Sequence, residues 1–130
     1  MLDIDHFKEY NDTNGHLAGD YVIKTVADIL KDNIRNKDLV ARYGGEEFII
    51  AILNPIVQQE AIIVAKRIKN KIKEYDFKSE EEQPGGKLTI SIGISSLSSD
   101  KKLKMLIAEA DNQLYNSKSK GRDCITIKQK

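Results

Sequence analysis

Acidic side chains gather at two places in this sequence. Asp3 and Asp5 lie on either side of Ile4, and side chains alternate across a strand, so these two carboxylates share a face. Glu46 and Glu47 follow a glycine pair in RYGGEEF, and as direct neighbours they diverge. One carboxylate from each place, facing inward, would repel the other unless a cation lay between them. Mg²⁺ prefers such sites, completed by water and the oxygens of a substrate phosphate, although spacing alone slightly favours two solvated strand ends with nothing bound.

A polar segment between these two places has residue types that suit a purine nucleotide. In DHFKEYNDTNGHLAGD, the Asn11 amide offers both a donor and an acceptor, and the Asp20 carboxylate accepts from the N–H donors that distinguish guanine. Lys8 offers a point charge for phosphate. The structural alternative is that these polar residues form turns and helix caps, which their types also favour.

A basic element near the end of the chain, SKSKGRD, places Lys118 and Arg122 on either side of a predicted helix end. The two cations could clamp a triphosphate, with the guanidinium binding in bidentate fashion. The alternative is that cations simply complement the partial negative charge of a helix C-terminus.

Composition limits the class of protein. The chain has 130 residues with a net charge of +1, which predicts one domain and argues against nucleic acid or an anionic membrane as a partner. Its apolar runs are too short to span a bilayer, its first residues do not form a signal peptide, and a single cysteine suits a reducing compartment. We therefore expect a cytoplasmic domain without membrane contact.

The elements that must position these residues follow from periodicity and turn chemistry. The sequence predicts a strand end at LDI and a glycine turn at Gly44–Gly45 between the strands DLVARY and EEFIIAIL. It further predicts a surface loop at 78–86, the strand KLTISIGI and a short strand CITI that includes Cys124. Helices are expected at 5–13, from about Asp20 to Arg35, from about Gln58 to Tyr75, and over KKLKMLIAEADNQLYNSKSK. This mixture predicts an α/β (α+β) fold, a mixed or antiparallel sheet flanked by helices.

Four segments together resemble a known family. DIDHFKEYNDTNGHLAGD, RYGGEEF, SIG and ADNQLYNSKSKGRD are similar, in order and spacing, to the GGDEF domain of bacterial diguanylate cyclases, in its GGEEF variant, over residues 1–130. The resemblance implies a central sheet faced by helices, related to the polymerase palm and the nucleotide cyclases. It implies that two GTP molecules condense into cyclic di-GMP with release of pyrophosphate, each GTP being presented by one of two protomers that meet face to face.

The resemblance also implies roles for the acidic residues. Asp3, Glu46 and the carbonyl of Ile4 would hold the divalent cations, Mg²⁺ or Mn²⁺, and Asp3, Glu46 and Glu47 would form the catalytic group. The role of Glu47 is open between support of the metal ligands, a structural acceptor and an aid to deprotonation. Asp5 is expected to be a supporting residue.

For the substrate, the resemblance implies that Asn11 and Asp20 read guanine. Lys118 and Arg122 would hold the β- and γ-phosphates with Lys8 nearby, and Arg42 is expected to be a supporting residue.

A second site follows from RNKD. Arg35 and Asp38 resemble the RxxD motif through which many family members bind cyclic di-GMP as an inhibitor. The structural alternative is a helix C-terminus for Arg35 and a turn for Asp38.

Compared with the family, the sequence starts late. The family pattern has a helix and most of the first strand before the residues that match Asp3, and this sequence lacks both. We therefore expect Asp3 to be poorly anchored and an apolar groove to be exposed beside the hairpin. An upstream sensory domain is expected as a partner in the full-length protein. The alternative function is a catalytically silent module that binds GTP or cyclic di-GMP.

Overall fold

The computed structural model describes residues 1–55, 57 and 59–128. Five strands form one sheet in the order β2-β3-β1-β4-β5. The pairs β2–β3, β3–β1 and β1–β4 are antiparallel, and β4–β5 is parallel. The strands are β1 (Leu2–Ile4), β2 (Leu39–Gly44), β3 (Glu47–Ala51), β4 (Ile90–Ile94) and β5 (Ile125–Ile127). The mixed α/β sheet predicted from the sequence is confirmed.

In the part of the chain that the structure describes, four α-helices flank the sheet. They are α1 (Phe7–Asn14), α2 (His16–Asp32), α3 (Glu60–Glu74) and α4 (Leu103–Ser119). The main core lies between α1, α2, α3 and one sheet face, where Leu2, Ile4 and Phe48 are buried. Because side chains alternate across a strand, the opposite face carries Met1, which packs with Ala110 and Leu114 of α4. The sheet therefore separates two layers, and among the described helices α4 supplies the buried residues of the second.

Glycine 93 lets α4 approach the sheet closely. A Cβ at Gly93 would lie 2.1 Å from the Leu114 nitrogen and 2.3 Å from the Ala110 carbonyl oxygen, so only a glycine fits this crossing. The next turn is fixed by Ser117, whose hydroxyl donates to the Ile92 carbonyl at 2.7 Å and lies 2.7 Å from the Thr126 hydroxyl. These contacts hold the C-terminal end of α4 at a defined position over β4.

Two predicted boundaries are corrected. Helix α2 begins at His16 rather than near Asp20, because the apolar periodicity that marked it starts only at Val22, while the first turn contains a glycine and the exposed Leu17 and gives no such signal. It ends at Asp32 rather than at Arg35, because Asn33 closes the helix and donates its side-chain amide to the Ile29 carbonyl. Gln58, where the start of the next helix was predicted, lies outside the described residues.

The segment predicted as a solvated loop, 78–86, is more structured than expected. It contains two short 3₁₀ helices, Glu80–Glu82 and Pro84–Gly86. Glu80 is buried. Its carboxylate is satisfied there, because it accepts from the Leu88 N–H at 3.1 Å and pairs with Lys87 at 2.6 Å. The last strand begins at Ile125, so Cys124 lies just before it.

The expectation that Asp3 is poorly anchored is wrong. Strand β1 is central in the sheet, and Asp3 lies opposite Glu47 on one side and Ser91 on the other. The residue is 5% exposed. Its main chain is therefore fixed by two neighbouring strands.

Candidate active site

The candidate site lies where β1 ends beside the β2–β3 hairpin. Asp3 and Glu47 are paired across the antiparallel strands, so their side chains share a face. Glu46 lies in the turn itself, and its carbonyl oxygen accepts from the Ile4 N–H at 3.3 Å. The N–H and C=O of one strand residue point to the same side, so the Ile4 carbonyl also faces the hairpin. The fold thus brings together all four residues proposed for the metal and catalytic group.

The hairpin turn has a specific local cause. Gly45 has a φ of +43°, a left-handed conformation that glycine adopts at little cost. The Arg42 Nε donates to the Gly45 carbonyl at 2.7 Å, and the register shifts between Arg42 and Gly44. Arg42 therefore supports the turn that carries Glu46.

Lys118 forms an ion pair with Asp3. Its Nζ lies 2.9 Å from the Asp3 Oδ2, with the two side chains 31% and 7% exposed. Burial is the largest cause that raises the pKa of Asp3 from 3.8 to about 6; Lys118 opposes the rise, and the charges of Glu46 and Glu47 add to it. Burial and the neighbouring carboxylates thus make the ionised form of Asp3 unfavourable, and a nearby cation stabilises that form.

The carboxylates do not by themselves form a metal cage. Across residues 1–55, 57 and 59–128, no three His, Cys, Asp or Glu side chains are arranged to hold a metal ion. Asp3 has the Lys118 ammonium as its counter-ion instead.

Asp5 has a structural role next to the site. Its carboxylate accepts from the Thr89 hydroxyl at 2.7 Å, the Ser91 hydroxyl at 2.6 Å and the Asp123 N–H at 3.1 Å. It is 2% exposed and ties the end of β1 to β4 and to the turn after α4. Sequence reasoning missed the two hydroxyl partners, although their spacing of two residues in LTISIG places them on one strand face.

Asn11 packs against α2 rather than lying free. A Cβ at Gly19 would come within 1.7 Å of the Asn11 Oδ1, so the glycine makes room for this amide. The Oδ1 is buried, and it has no hydrogen-bond partner in the described part of the chain. A buried polar atom left unsatisfied is costly, which makes Asn11 a candidate for completion by a ligand.

Asp20 follows Gly19 on α2 and lines a groove of about 600 Å³ between that helix and the hairpin strands. Arg42 lies on the opposite wall, and Phe48 and Val40 contribute apolar surface. The place in the sheet beside the hairpin, where the late start of the sequence predicted an exposed groove, is occupied by β1.

The remaining phosphate candidates are exposed. Lys8, in the first turn of α1, and Arg122, after α4, make no side-chain hydrogen bond or ion pair with the residues that the structure describes. Arg122 has a φ of +69° and donates its N–H to the Ser117 carbonyl, and it lines a second cavity of about 360 Å³ that His6 also borders.

Arg35 and Asp38 lie elsewhere, next to the start of β2, so one strand length, roughly 17 Å, separates them from the hairpin tip. The Asp38 carboxylate accepts from the backbone N–H groups of Leu53 and Arg35, both at 3.0 Å, and its side chain is 1% exposed. Burial favours a higher pKa for Asp38, but these bonds and the Arg35 charge outweigh it and hold the pKa below its usual range. Arg35 also pairs with Glu60 at 2.8 Å, a partner that the sequence did not suggest.

Comparisons with known proteins agree with this geometry. The family model described as "Diguanylate cyclase, GGDEF domain" matches residues 1–124, so the chain belongs to this family, as its motifs predicted. It is 44% identical to diguanylate cyclase A of Treponema denticola, over 98% of this chain and 34% of that protein. The chain thus spans about a third of the length of that relative.

Solved structures show the same fold. The active GGEEF domain of a diguanylate cyclase from Vibrio cholerae matches with a TM-score of 0.88 and 32% identity, covering 99% of this chain and 80% of that one. The GGDEF domain of DgcB from Caulobacter crescentus, solved with c-di-GMP, matches with a TM-score of 0.87 and 32% identity, over 97% of this chain and 72% of that one. No helix among the described residues is long and apolar enough to cross a membrane.

Proposed function

We propose that this chain is the catalytic domain of a diguanylate cyclase, which condenses two GTP molecules into cyclic di-GMP and releases two pyrophosphates. The carrying observation is the convergence of Asp3, Glu46, Glu47 and Lys118 at the end of a central strand, in a chain that belongs to the GGDEF family. We place the domain in the cytoplasm, where GTP is available.

The residues at this site fit a divalent cation. The donor set is made of hard oxygens, the carboxylates of Asp3 and Glu46 and the Ile4 carbonyl, which suits Mg²⁺ or Mn²⁺. The raised pKa of Asp3, caused first by burial and increased by Glu46 and Glu47, marks a place where positive charge is favourable. When bound there, the cation would neutralise phosphate charge and lower the pKa of the attacking hydroxyl.

The chain's own side chains would orient the nucleotide. Asn11 and Asp20 would read the guanine edge, since the unsatisfied Oδ1 of Asn11 and the groove beside Asp20 lie along α2. Lys8 and Arg122, both without side-chain partners in the described structure, would contact the phosphates together with Lys118. Glu47, on the same face as Asp3, would add negative charge beside the proposed cation.

The reaction requires a second copy of the domain. The 3′-oxygen of each GTP would form a bond to the α-phosphorus of the other, the bond to pyrophosphate would break, and the hydroxyl proton would leave to a carboxylate or to water. A single domain holds one GTP, so homodimerisation would set the activity. We propose that an upstream sensory domain of the full-length protein controls that pairing.

Product binding at Arg35 and Asp38 is a separate proposal. The guanidinium of Arg35 is about a third exposed and would contact the guanine and phosphate of cyclic di-GMP, in exchange for Glu60. Asp38 would contribute to guanine recognition only by giving up bonds that now close the turn before β2. Cyclic di-GMP bound there would inhibit synthesis from a site that is separate from the hairpin tip.

The silent binding module remains the second candidate, and one observation favours it. In the described residues the carboxylates are not arranged as a metal-binding group, and Asp3 is already paired with Lys118. Such a chain would bind GTP or cyclic di-GMP without turnover.

The test is an assay for cyclic di-GMP with GTP and either Mg²⁺ or Mn²⁺. It compares the chain with a version extended upstream by about one helix and one strand, the family elements expected before β1, and uses Glu46→Ala as the control for each. Product that depends on Glu46 supports the cyclase. No product from either form, with guanine nucleotide still bound, would favour the silent module.

A further inference from the structure

Lys118 lies where its ammonium can pair with either of two anionic groups, but not fully with both at once. In the structure its ammonium is 2.9 Å from the Asp3 carboxylate. In the proposed function, on which this inference rests, the same ammonium contacts the triphosphate. A lysine ammonium is one compact charge on a flexible stem, so it can change partner but cannot neutralise both fully.

The backbone that carries Lys118 is fixed, which leaves the side chain as the moving part. The preceding residue, Ser117, is fully buried and bonded to β4 and β5, and α4 rests directly on Gly93. Lys118 itself is 31% exposed, so its ammonium has a route toward solvent and toward a ligand.

The ion pair matters because the buried Asp3 carboxylate has few other groups that could balance its negative charge. Its side chain is 7% exposed, and Glu46 and Glu47 both add negative charge. Lys118 is the one cation that the described residues supply to it by hydrogen bond or ion pair. A divalent cation that arrives alone must therefore displace this ammonium from Asp3, against the repulsion between the two positive charges. A cation that arrives with a triphosphate also brings new anionic oxygens for the ammonium.

We propose that Lys118 keeps the Asp3 carboxylate closed to free metal, so that the domain takes up its cation as the metal–GTP complex rather than as free metal followed by GTP. The lysine is thus a gate on metal entry as well as a phosphate contact. Removing its charge has opposite effects on the two binding events.

The experiment uses Mn²⁺ as the probe and two ligand states. Free Mn²⁺ is followed by electron paramagnetic resonance with the nucleotide-free chain, and calorimetry measures binding of 3′-deoxy-GTP, which lacks the attacking hydroxyl, in excess Mn²⁺. In Lys118→Met, the affinity for Mn²⁺ alone is expected to rise about tenfold, while the affinity for Mn²⁺–3′-deoxy-GTP falls about tenfold. Lys118→Gln, a second uncharged variant, is expected to do the same.

Two controls assign the effect. Lys120→Met removes the same charge from an exposed position just after α4 and is expected to change neither affinity. The double variant Asp3→Asn with Lys118→Met is expected to lose the gained Mn²⁺ binding, which places the metal at Asp3. Thermal unfolding confirms that each variant is folded.

The outcomes separate this inference from the proposed function. If Mn²⁺ alone binds the uncharged variants no more tightly than the parent chain, or if the gain survives without Asp3, the gate is wrong even when metal–nucleotide binding is normal. If the parent chain does not bind Mn²⁺–3′-deoxy-GTP, the proposed function fails, whatever Lys118 does to the metal.

Discussion

Two carboxylates in this chain, Asp3 and Asp38, are almost equally buried and have opposite electrostatic environments. Asp3 lies beside Glu46 and Glu47 with one ammonium as counter-ion, and burial with these charges raises its pKa. Asp38 is also desolvated, but two backbone N–H groups and the guanidinium of Arg35 satisfy it and lower its pKa. The comparison shows that burial of a charge is compatible with a structural role where donors are supplied. Where few donors are supplied, as at Asp3, the charge is left in an environment that agrees with the proposed cation site.

The largest expected effect comes from Asp3→Asn, which keeps the shape and removes the charge. We expect cyclic di-GMP synthesis to fall by about a hundredfold or more, because the proposed metal ligand loses its charge. We also expect the free energy of unfolding at pH 8 to rise by about 1 kcal/mol, because the buried carboxylate no longer has to be ionised. Product assays and urea denaturation measure the two effects. Asp12→Asn, on the exposed face of α1, is the matched control, and a loss of stability in Asp3→Asn would contradict the comparison.

Asp38→Asn is expected to show the reverse behaviour. An amide cannot replace the carboxylate toward Arg35, so we expect the free energy of unfolding at pH 7 to fall by about 2 kcal/mol, since charge-assisted hydrogen bonds of a buried carboxylate are lost. Urea denaturation measures this loss, with the exposed Asp28→Asn as control. The folded fraction should keep its turnover. Unchanged stability would mean that Asp38 is held for ligand binding rather than for structure.

Gly19→Ala tests the proposed guanine contact of Asn11. The added Cβ would displace the Asn11 amide, which is a short side chain able to rotate, and alanine gains about 1 kcal/mol over glycine in a helix. We therefore expect nearly unchanged stability but about a tenfold rise in KM for GTP, the scale of one lost hydrogen bond to a base. Steady-state kinetics measure the effect. Asn11→Ala should give a similar rise, and combining the two should add little.

The smallest effect is the pH dependence of stability. Asp3 has a higher pKa in the folded state than in the unfolded one, so its contribution to stability falls as pH rises from about 4 to about 6. Asp38 has a lowered pKa, so its contribution is present above the unfolded value of about 3.8 and is lost as pH falls through the folded one. The difference between Asp3→Asn and the parent should therefore open between pH 4 and 6. The difference in free energy of unfolding between Asp38→Asn and the parent should close only below pH 4. If the two variants gave the same pH dependence, the contrast between Asp3 and Asp38 would be wrong.

Much of the fold could be predicted because its signals are local. The alternation in KLTISIGI and the glycine pair after RY are set by strand and turn chemistry within a few residues; the hairpin forms as expected, and the strand forms over Ile90–Ile94 of the predicted segment. The start of α2 was missed because its first turn contains a glycine and an exposed leucine and carries no periodic signal. The burial of Glu80 was missed because its partner Leu88 N–H becomes available only after the chain folds back.

The sequence by itself determined the family and supplied the candidate residues of the proposed site. Residue types, spacing and the resemblance together pointed to the carboxylates, the amide and the cations, because the motifs that carry them are contiguous. Only the tertiary structure decided how these groups are paired. Lys118 is 115 positions from Asp3 along the chain, and Asp5 is 86 from Ser91. Such contacts depend on how α4 rests on Gly93 and how β1 lies between β3 and β4. An electrostatic environment is a property of distances in space, which no local pattern records.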